Sequence, residues 1–431
     1  MAMSVLLTNI SELATVQAPS SGRKPGAAMN ELGIIRNAAM LVEERILWVG
    51  TQRQAEKHFA AFPALPRYDC GGRAVLPGFV DSHTHIVFAG SRADEFALRL
   101  RGVSYQEIAA RGGGIMATVR ATRAASDEEL FVSARTRIIE ALRHGTTTLE
   151  IKSGYGLSLE DELRLLRVIE RLERELPVRI VATLLGAHAI PPDAASRDEY
   201  IEMLCTELIP EVARNRLATF CDVFADVGYF TTTEAERILA TGVDWGLQPK
   251  IHADEFADVG AARLAISIGA ASADHLLHIA PETIPEFARW RTVATLLPGT
   301  AYTLRLPMAP ARTLIDAGAT VALATDCNPG SCRTENMQMI ISLATQLAGM
   351  TLEEAITAAT LHGAAALLRE HEIGSLDVGK LADFIVLDSP SVHDLAYHFG
   401  TNRVAEVWIG GKRVVSNDAT WIESPHTSPS L

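Results

Sequence analysis

LPGFVDSHTH, residues 76–85, runs from Leu76 through Gly78-Phe79-Val80 into His83-Thr84-His85, and Ile86-Val87-Phe88 follows at once. The apolar β-formers predict a short strand. Along a strand, residues i and i+2 share a face, so the imidazoles of His83 and His85 would emerge side by side. Two neutral imidazoles on one strand end make half of a tetrahedral metal site. In a chain with 13 histidines a chance His-x-His is as common as a metal site, so the pattern needs company.

Company is found further along. Gln248-Pro249-Lys250-Ile251-His252 ends a strand-like run in histidine, with Glu255 three residues on. Ala270-Ala271-Ser272-Ala273-Asp274-His275 repeats the pattern, and Val321-Ala322-Leu323-Ala324-Thr325-Asp326 is a buried-type strand ending in aspartate before the turn Cys327-Asn328-Pro329-Gly330. Each alone fits a core histidine or a helix N-cap equally well. Together, His, His, His and Asp at successive strand ends form the ligand set of a zinc-type hydrolase with a position open to water.

Composition agrees. At 431 residues the chain exceeds one ordinary core, so a large barrel with a smaller companion is expected. Its 52 acidic and 39 basic residues give a net charge of −13 with no Lys/Arg run, which argues against nucleic acid and anionic membranes as partners. Five scattered cysteines (Cys70, Cys205, Cys221, Cys327, Cys332), none in a C-x-x-C, point to a reducing, cytoplasmic setting and away from a thiolate cage. Met1–Ile10 lacks a basic region, so no signal peptide is expected, and no stretch reaches eighteen uninterrupted apolar residues.

Both ends of the chain read as strands. Val5–Ile10, the hairpin of Ala39–Val42 with Ile46–Gly50, Asp383–Asp388 and the hairpin of Val404–Ile409 around Gly410-Gly411 predict one small β-sandwich built from residues 1–78 and 371–431. Between them, residues 79–370 alternate strands and helices. Strand ends are expected near His85, Lys152, Ala187, Ala225, His252, His275, Leu297 and Asp326, the count of a (β/α)8 TIM barrel, whose chemistry sits at C-terminal strand ends. The clearest helix runs Leu159–Leu176, with Ser158 as N-cap, acidic residues in the first turn and Pro177 as stop. The long stretch from Arg92 to His144, with Gly112-Gly113-Gly114 inside it, is expected to cover the active site.

At this point LPGFVDSHTH, GGGI, EIKSGYGLSLEDELRLLRVI, LGAHAIPPD, KIHADEF, GAASADHLL, TVATLLPGT, LATDCNPGS and GSLDVGKLADFIVLD, in this order over nearly the whole chain, resemble the imidazolonepropionase family of the amidohydrolase superfamily. Two departures stand out: Ala225-Asp226 replaces an expected Cys-Glu, and Cys332 replaces a serine after Asn-Pro-Gly-Ser. The resemblance implies hydrolysis of 4-imidazolone-5-propanoate to N-formimidoyl-L-glutamate. It implies one metal ion, zinc or iron, held by His83, His85, His252 and Asp326, and it is compatible with a homodimer. Glu255, His275 and Asp326 would share the proton transfers. Arg92 would read the propanoate, because a guanidinium matches a carboxylate bidentately. Tyr155 and His188 would bind the ring under Tyr105, and Asn328, Gly330 and Ser331 would present donors at the mouth.

Plainer readings stay open from sequence. Gly154-Tyr155-Gly156 is also a tight turn, His188 also a loop histidine, and Arg92 also a surface partner for Asp94 or Glu95, with Arg333 a second candidate for the carboxylate. Lys152 ends the second strand, whereas the carboxylated lysine of two-metal relatives belongs on the fourth. Cytosine or guanine-type deamination, or a non-enzymatic scaffold, are the rival functions.

Overall fold

The computed structural model describes residues 4–103, 107–108 and 112–417. Among the described residues, fifteen strands form two sheets. In chain order they are β1 (Val5–Ala14), β2 (Ile34–Val42), β3 (Ile46–Thr51), β4 (Arg67–Pro77), β5 (Phe79–Asp81), β6 (Thr146–Lys152), β7 (Arg179–Ala187) and β8 (Phe220–Ala225). They continue with β9 (Gln248–Ala253), β10 (Ser272–His275), β11 (Val293–Leu296), β12 (Val321–Leu323), β13 (Phe384–Leu387), β14 (Val404–Ile409) and β15 (Lys412–Ser416).

Strands β5 to β12 pair in sequence order and in parallel, eight in all, with helices between them. Closure falls where His83 and Asp326 meet. The Asp326 N–H donates to His83 O at 3.0 Å and the His85 N–H to Cys327 O at 2.9 Å. The architecture is therefore a closed (β/α)8 barrel. β5 and β12 are shorter than their sequence suggests, and His83 and His85 lie just past β5 in an irregular extension. The Thr84–Cys327 bridge holds that extension against the last strand, so it is as fixed as a strand without being one.

The other seven strands form one continuous sheet in the order β15-β14-β13-β4-β1-β2-β3. The sandwich expected from the two ends is thus realised as a single sheet. It encloses a core of Leu7, Ile10, Leu13, Met40, Val75, Phe384 and Trp408. Both predicted hairpins are present, as β2–β3 and β14–β15. Arg179 at the start of β7 ties barrel to sheet through a two-pronged contact with Asp383, at 2.6 and 3.0 Å.

The helix Leu159–Glu175 is capped by the Ser158 hydroxyl, which accepts from the Asp161 N–H, and it buries Leu163, Leu166, Ile169 and Leu172 as a stripe. The Arg92–His144 stretch divides into a part at the barrel mouth, where Arg92 and Ile115 line the cavity, and a part that packs on the barrel side. It contains helices Ala93–Leu100, Ile115–Ala124 and Asp127–Arg143, the last packed against Leu159–Glu175 and β6. Amphipathic spacing in Asp127–Arg143, with Leu130, Ala134, Ile138 and Ala141 buried, is the reason it joins the barrel. No helix among the described residues is long and apolar enough to cross a membrane.

Candidate functional site

At the C-terminal end of the barrel the sequence-predicted donors converge. His85 Nε2 lies 3.3 Å from His83 Nε2 and 3.3 Å from His252 Nε2, and Asp326 Oδ1 lies 3.6 and 3.5 Å from His83 and His85 Nε2. The Thr300 hydroxyl donates to Asp326 Oδ2, leaving Oδ1 to face the imidazoles. His275 also belongs to the cluster, with a ring nitrogen near those of His83 and His252. All five side chains are buried. His275 and Asp326 have left-handed backbone, φ 79° and 52°, and strain of that kind persists where surrounding structure enforces a site.

The donor set fits a metal ion on electrostatic grounds. The His83 Nδ1–H donates to Asp274 at 2.6 Å and the His252 Nδ1–H to Asp222 at 3.1 Å, so each ring turns its Nε2 toward the other donors. Burial, reinforced by Lys152 for His83 and by His188 for His85, holds both imidazoles well below the usual histidine range, so they are neutral. Ring nitrogens converging at 3.3 Å with a carboxylate oxygen beside them form a donor set that a cation between them would complete.

Beneath the donors lies a buried charge network that sequence reading missed. Lys152 Nζ is 2.6 Å from Glu150 and 2.7 Å from Asp222, and Lys250 Nζ is 3.8 Å from Asp274 while donating to Ser82 O. All six residues are buried. Lys152, held charged above its usual range by Asp222 and Glu150 against the cost of burial, is engaged as a cation in ion pairs.

Above the donors a cavity is lined by His85, Arg92, Tyr155, His188, His252, Glu255, His275, Asp326, Asn328, Gly330 and Ser331, all singled out from sequence. Phe224, Tyr229, Phe256, Ile115 and Leu304 complete it, and the apolar patterning of their segments gave no sign of this. Tyr105 lies outside the described residues. His188 donates from Nδ1 to Gly154 O at 2.9 Å, and its ring stacks 5.1 Å from that of His85 at 22°. Burial lowers its pKa to about 3.

The Gly154-Tyr155-Gly156 segment is both a tight turn and a wall of this cavity. Gly154 has φ 96°, and the N–H groups of Gly154, Gly156 and Leu157 all donate to the buried carboxylate of Glu162. One helix residue thereby fixes the loop that carries Tyr155.

Arg92 is buried, its Nε donating to Glu95 at 2.8 Å, while its guanidinium lies against Gly330 so closely that a Cβ there would overlap it. It is therefore paired with Glu95 and faces the cavity as well. The Asn328 turn is largely self-satisfied. Asn328 Oδ1 accepts the Gly330 and Ser331 N–H groups, each at 2.8 Å, so these backbone donors build the turn rather than face the cavity as sequence suggested.

Glu255 is buried 3.6 Å from His275 Nε2, and burial, then the charges of Asp326 and Asp226, push it well above the usual carboxylate range. Burial also pushes Asp326 up to about 6. Asp226 accepts the Phe256 N–H at 2.7 Å and so ties β8 to the Glu255 turn. Cys332 is buried against Gly299. All five cysteines are free and buried.

A closed barrel with three histidines and an aspartate converging at its C-terminal mouth defines a metal-dependent hydrolase of amidohydrolase type. Residues 248–414 match the family described as Amidohydrolase family. Among solved structures, the chain resembles an adenosine deaminase from Xanthomonas campestris with bound zinc (TM-score 0.70, 22% identity, covering 95% of this chain and 92% of that one). It also resembles the E. coli guanine deaminase (TM-score 0.71, 16% identity, 97% and 100% coverage), and at such identities the likeness is one of fold.

Curated relatives narrow the class. The imidazolonepropionase of Symbiobacterium thermophilum is 46% identical over 95% of this chain and 97% of its own length. That of Geobacillus kaustophilus is 45% identical over 95% and 98%. The chain belongs to the imidazolonepropionase family.

Proposed function

We propose that this chain opens the ring of 4-imidazolone-5-propanoate by hydrolysis, giving N-formimidoyl-L-glutamate, with one zinc or iron ion held by His83, His85, His252 and Asp326. The observation that carries the reading is a single cavity joining that donor set to a buried guanidinium, Arg92. A single ion is favoured because both donor groupings share His83, and because Lys152 is taken up by Glu150 and Asp222. Such an ion supplies Lewis-acid chemistry, acidifying a water and polarising the ring carbonyl.

The residues do the rest. Arg92 anchors the propanoate, and Tyr155 and His188 hold the ring between anchor and donors. Water oxygen bonds to the ring carbonyl carbon, and its proton goes to a carboxylate. Asp326 and Glu255, which both line the cavity, are the carboxylates placed to accept it. The C–N bond of the cyclic amide then breaks, and the protonated carboxyl, assisted by His275 beside Glu255, delivers the proton to the departing ring nitrogen. Phe224 and Phe256 present apolar surface that limits bulk water.

Turnover of imidazolone propanoate, compared with cytosine and guanine, tests the assignment. Hydrolysis confined to the first supports it. Release of ammonia from either base without ring opening of the first would transfer the chain to the deaminases, and no turnover of any would favour a scaffold.

A further inference from the structure

A second cavity, of about 490 Å³, adjoins the metal cavity and shares Arg92 and Gly330 with it as a common wall. Four arginines line it (Arg92, Arg99, Arg137 and Arg333), and no acidic residue is among its described lining. They come from separated segments, which is why no basic run shows in the sequence.

Two anchor points gather them. At the Phe88 ring, Arg137 Cζ stands 3.5 Å and Arg333 Cζ 5.8 Å from the centroid. At Gly330, Arg99 donates to the carbonyl at 3.0 Å while Arg92 packs against the Cα. Arg137 gives its Nη1 donors to the Ile86 and Phe88 carbonyls, not to a carboxylate. Burial, and then the charge of Arg333, lowers its pKa to about 10, which leaves it cationic at neutral pH. Arg333 pairs with Glu335 yet keeps half its side chain exposed.

Arg92 pairs with Glu95 and Arg333 with Glu335, but neither carboxylate lines the concavity, so an anion bound there would meet guanidinium groups rather than either carboxylate. In a chain of net charge −13, a positive concavity also focuses the field for an approaching anion. Its volume lies within the range of small-molecule sites.

We infer that this cavity is a second carboxylate site, which captures the propanoate of incoming substrate and hands it across Arg92 to the metal cavity. The inference rests on the reading of the substrate as a carboxylate. It adds Arg333 and Arg99 as positioning residues that act before chemistry.

Arg333→Gln in the holoenzyme should lower kcat/KM for imidazolone propanoate by roughly 3- to 10-fold at low ionic strength, with kcat and metal content unchanged. The defect should fade in high salt, be largely rescued by Arg333→Lys, and vanish for an imidazolone with a neutral side chain. Equal loss on the neutral substrate, or no loss on the charged one, overturns the site. Glutarate tests occupancy apart from turnover. It should protect Arg333 of the wild-type holoenzyme from phenylglyoxal, read by peptide mass. Unprotected Arg333 at saturating glutarate overturns the site. If imidazolone propanoate is not hydrolysed at all, the functional reading fails while glutarate protection still decides this one.

Discussion

Asp274→Asn isolates the contribution of the buried network to metal binding. Asp274 accepts the His83 Nδ1–H at 2.6 Å with both side chains fully buried, so its charge fixes the tautomer that turns Nε2 toward the other donors. Asparagine keeps the volume and removes the anion. Loss of such an outer partner typically weakens metal binding by about 10- to 100-fold, or roughly 1.4–2.7 kcal/mol. The loss should fall toward the upper end, because Lys250 at 3.8 Å and Lys152 at 4.0 Å would face the donors with one counter-charge fewer. Competition with a chelator at fixed pH measures the dissociation constant, and circular dichroism checks the fold. Asp222→Asn should act similarly through His252. Because both carboxylates face Lys152, the double variant should depart from additivity. A folded Asp274→Asn protein that binds its metal within twofold of wild type would show that the Asp274 charge does not set the metal affinity.

Glu255→Gln should keep the metal but cut kcat by roughly 10²–10⁴, and loss of metal would instead make Glu255 a ligand. Arg92→Ala should lower kcat/KM by roughly 10- to 150-fold, the worth of a charge-assisted bond, and Gly330→Ala should act in the same direction because its methyl displaces the Arg92 guanidinium. Equal losses on a substrate with a neutral side chain would mean that Arg92 does not read the carboxylate. His362, buried with Nδ1 donating to Val321 O, has its pKa lowered by burial to about 4 from 6.5. Between those values the unfolded chain binds the extra proton, so this contribution is complete above pH 6.5 and is lost as pH falls toward 4, by up to about 3 kcal/mol. Urea unfolding of His362→Gln should therefore show a flatter acid limb than wild type, and parallel limbs would remove His362 as the cause.

What was legible in the sequence is what periodicity and punctuation encode. Strand runs ending in His252, His275 and Asp326 gave the barrel and its donors, because strand ends are local features. Ser158 and the acidic first turn marked the helix start as the structure has it. Of the stretch after Arg92, the first part contributes Arg92 and Ile115 to the cavity lining, whereas Asp127–Arg143 packs on the barrel, a division that only tertiary packing reveals. The arginine cavity was invisible for the opposite reason. Arg92, Arg99, Arg137 and Arg333 are unremarkable one by one, and only barrel closure assembles them.

The charged layer follows from strand register rather than from any motif. Glu150 and Lys152 on β6 are i and i+2, as are Lys250 and His252 on β9, so each pair points to one face. In the β8–β9 ladder Asp222 stands opposite Lys250, and in β9–β10 Asp274 stands opposite His252. Barrel interiors are usually filled by branched apolar side chains. Here one layer carries buried ion pairs, whose desolvation makes them poor contributors to stability. Their position explains their presence. A layer of fixed opposite charges under the imidazoles orients His83 and His252 before any ion arrives, and the register that closes the barrel is also what aims these two donors.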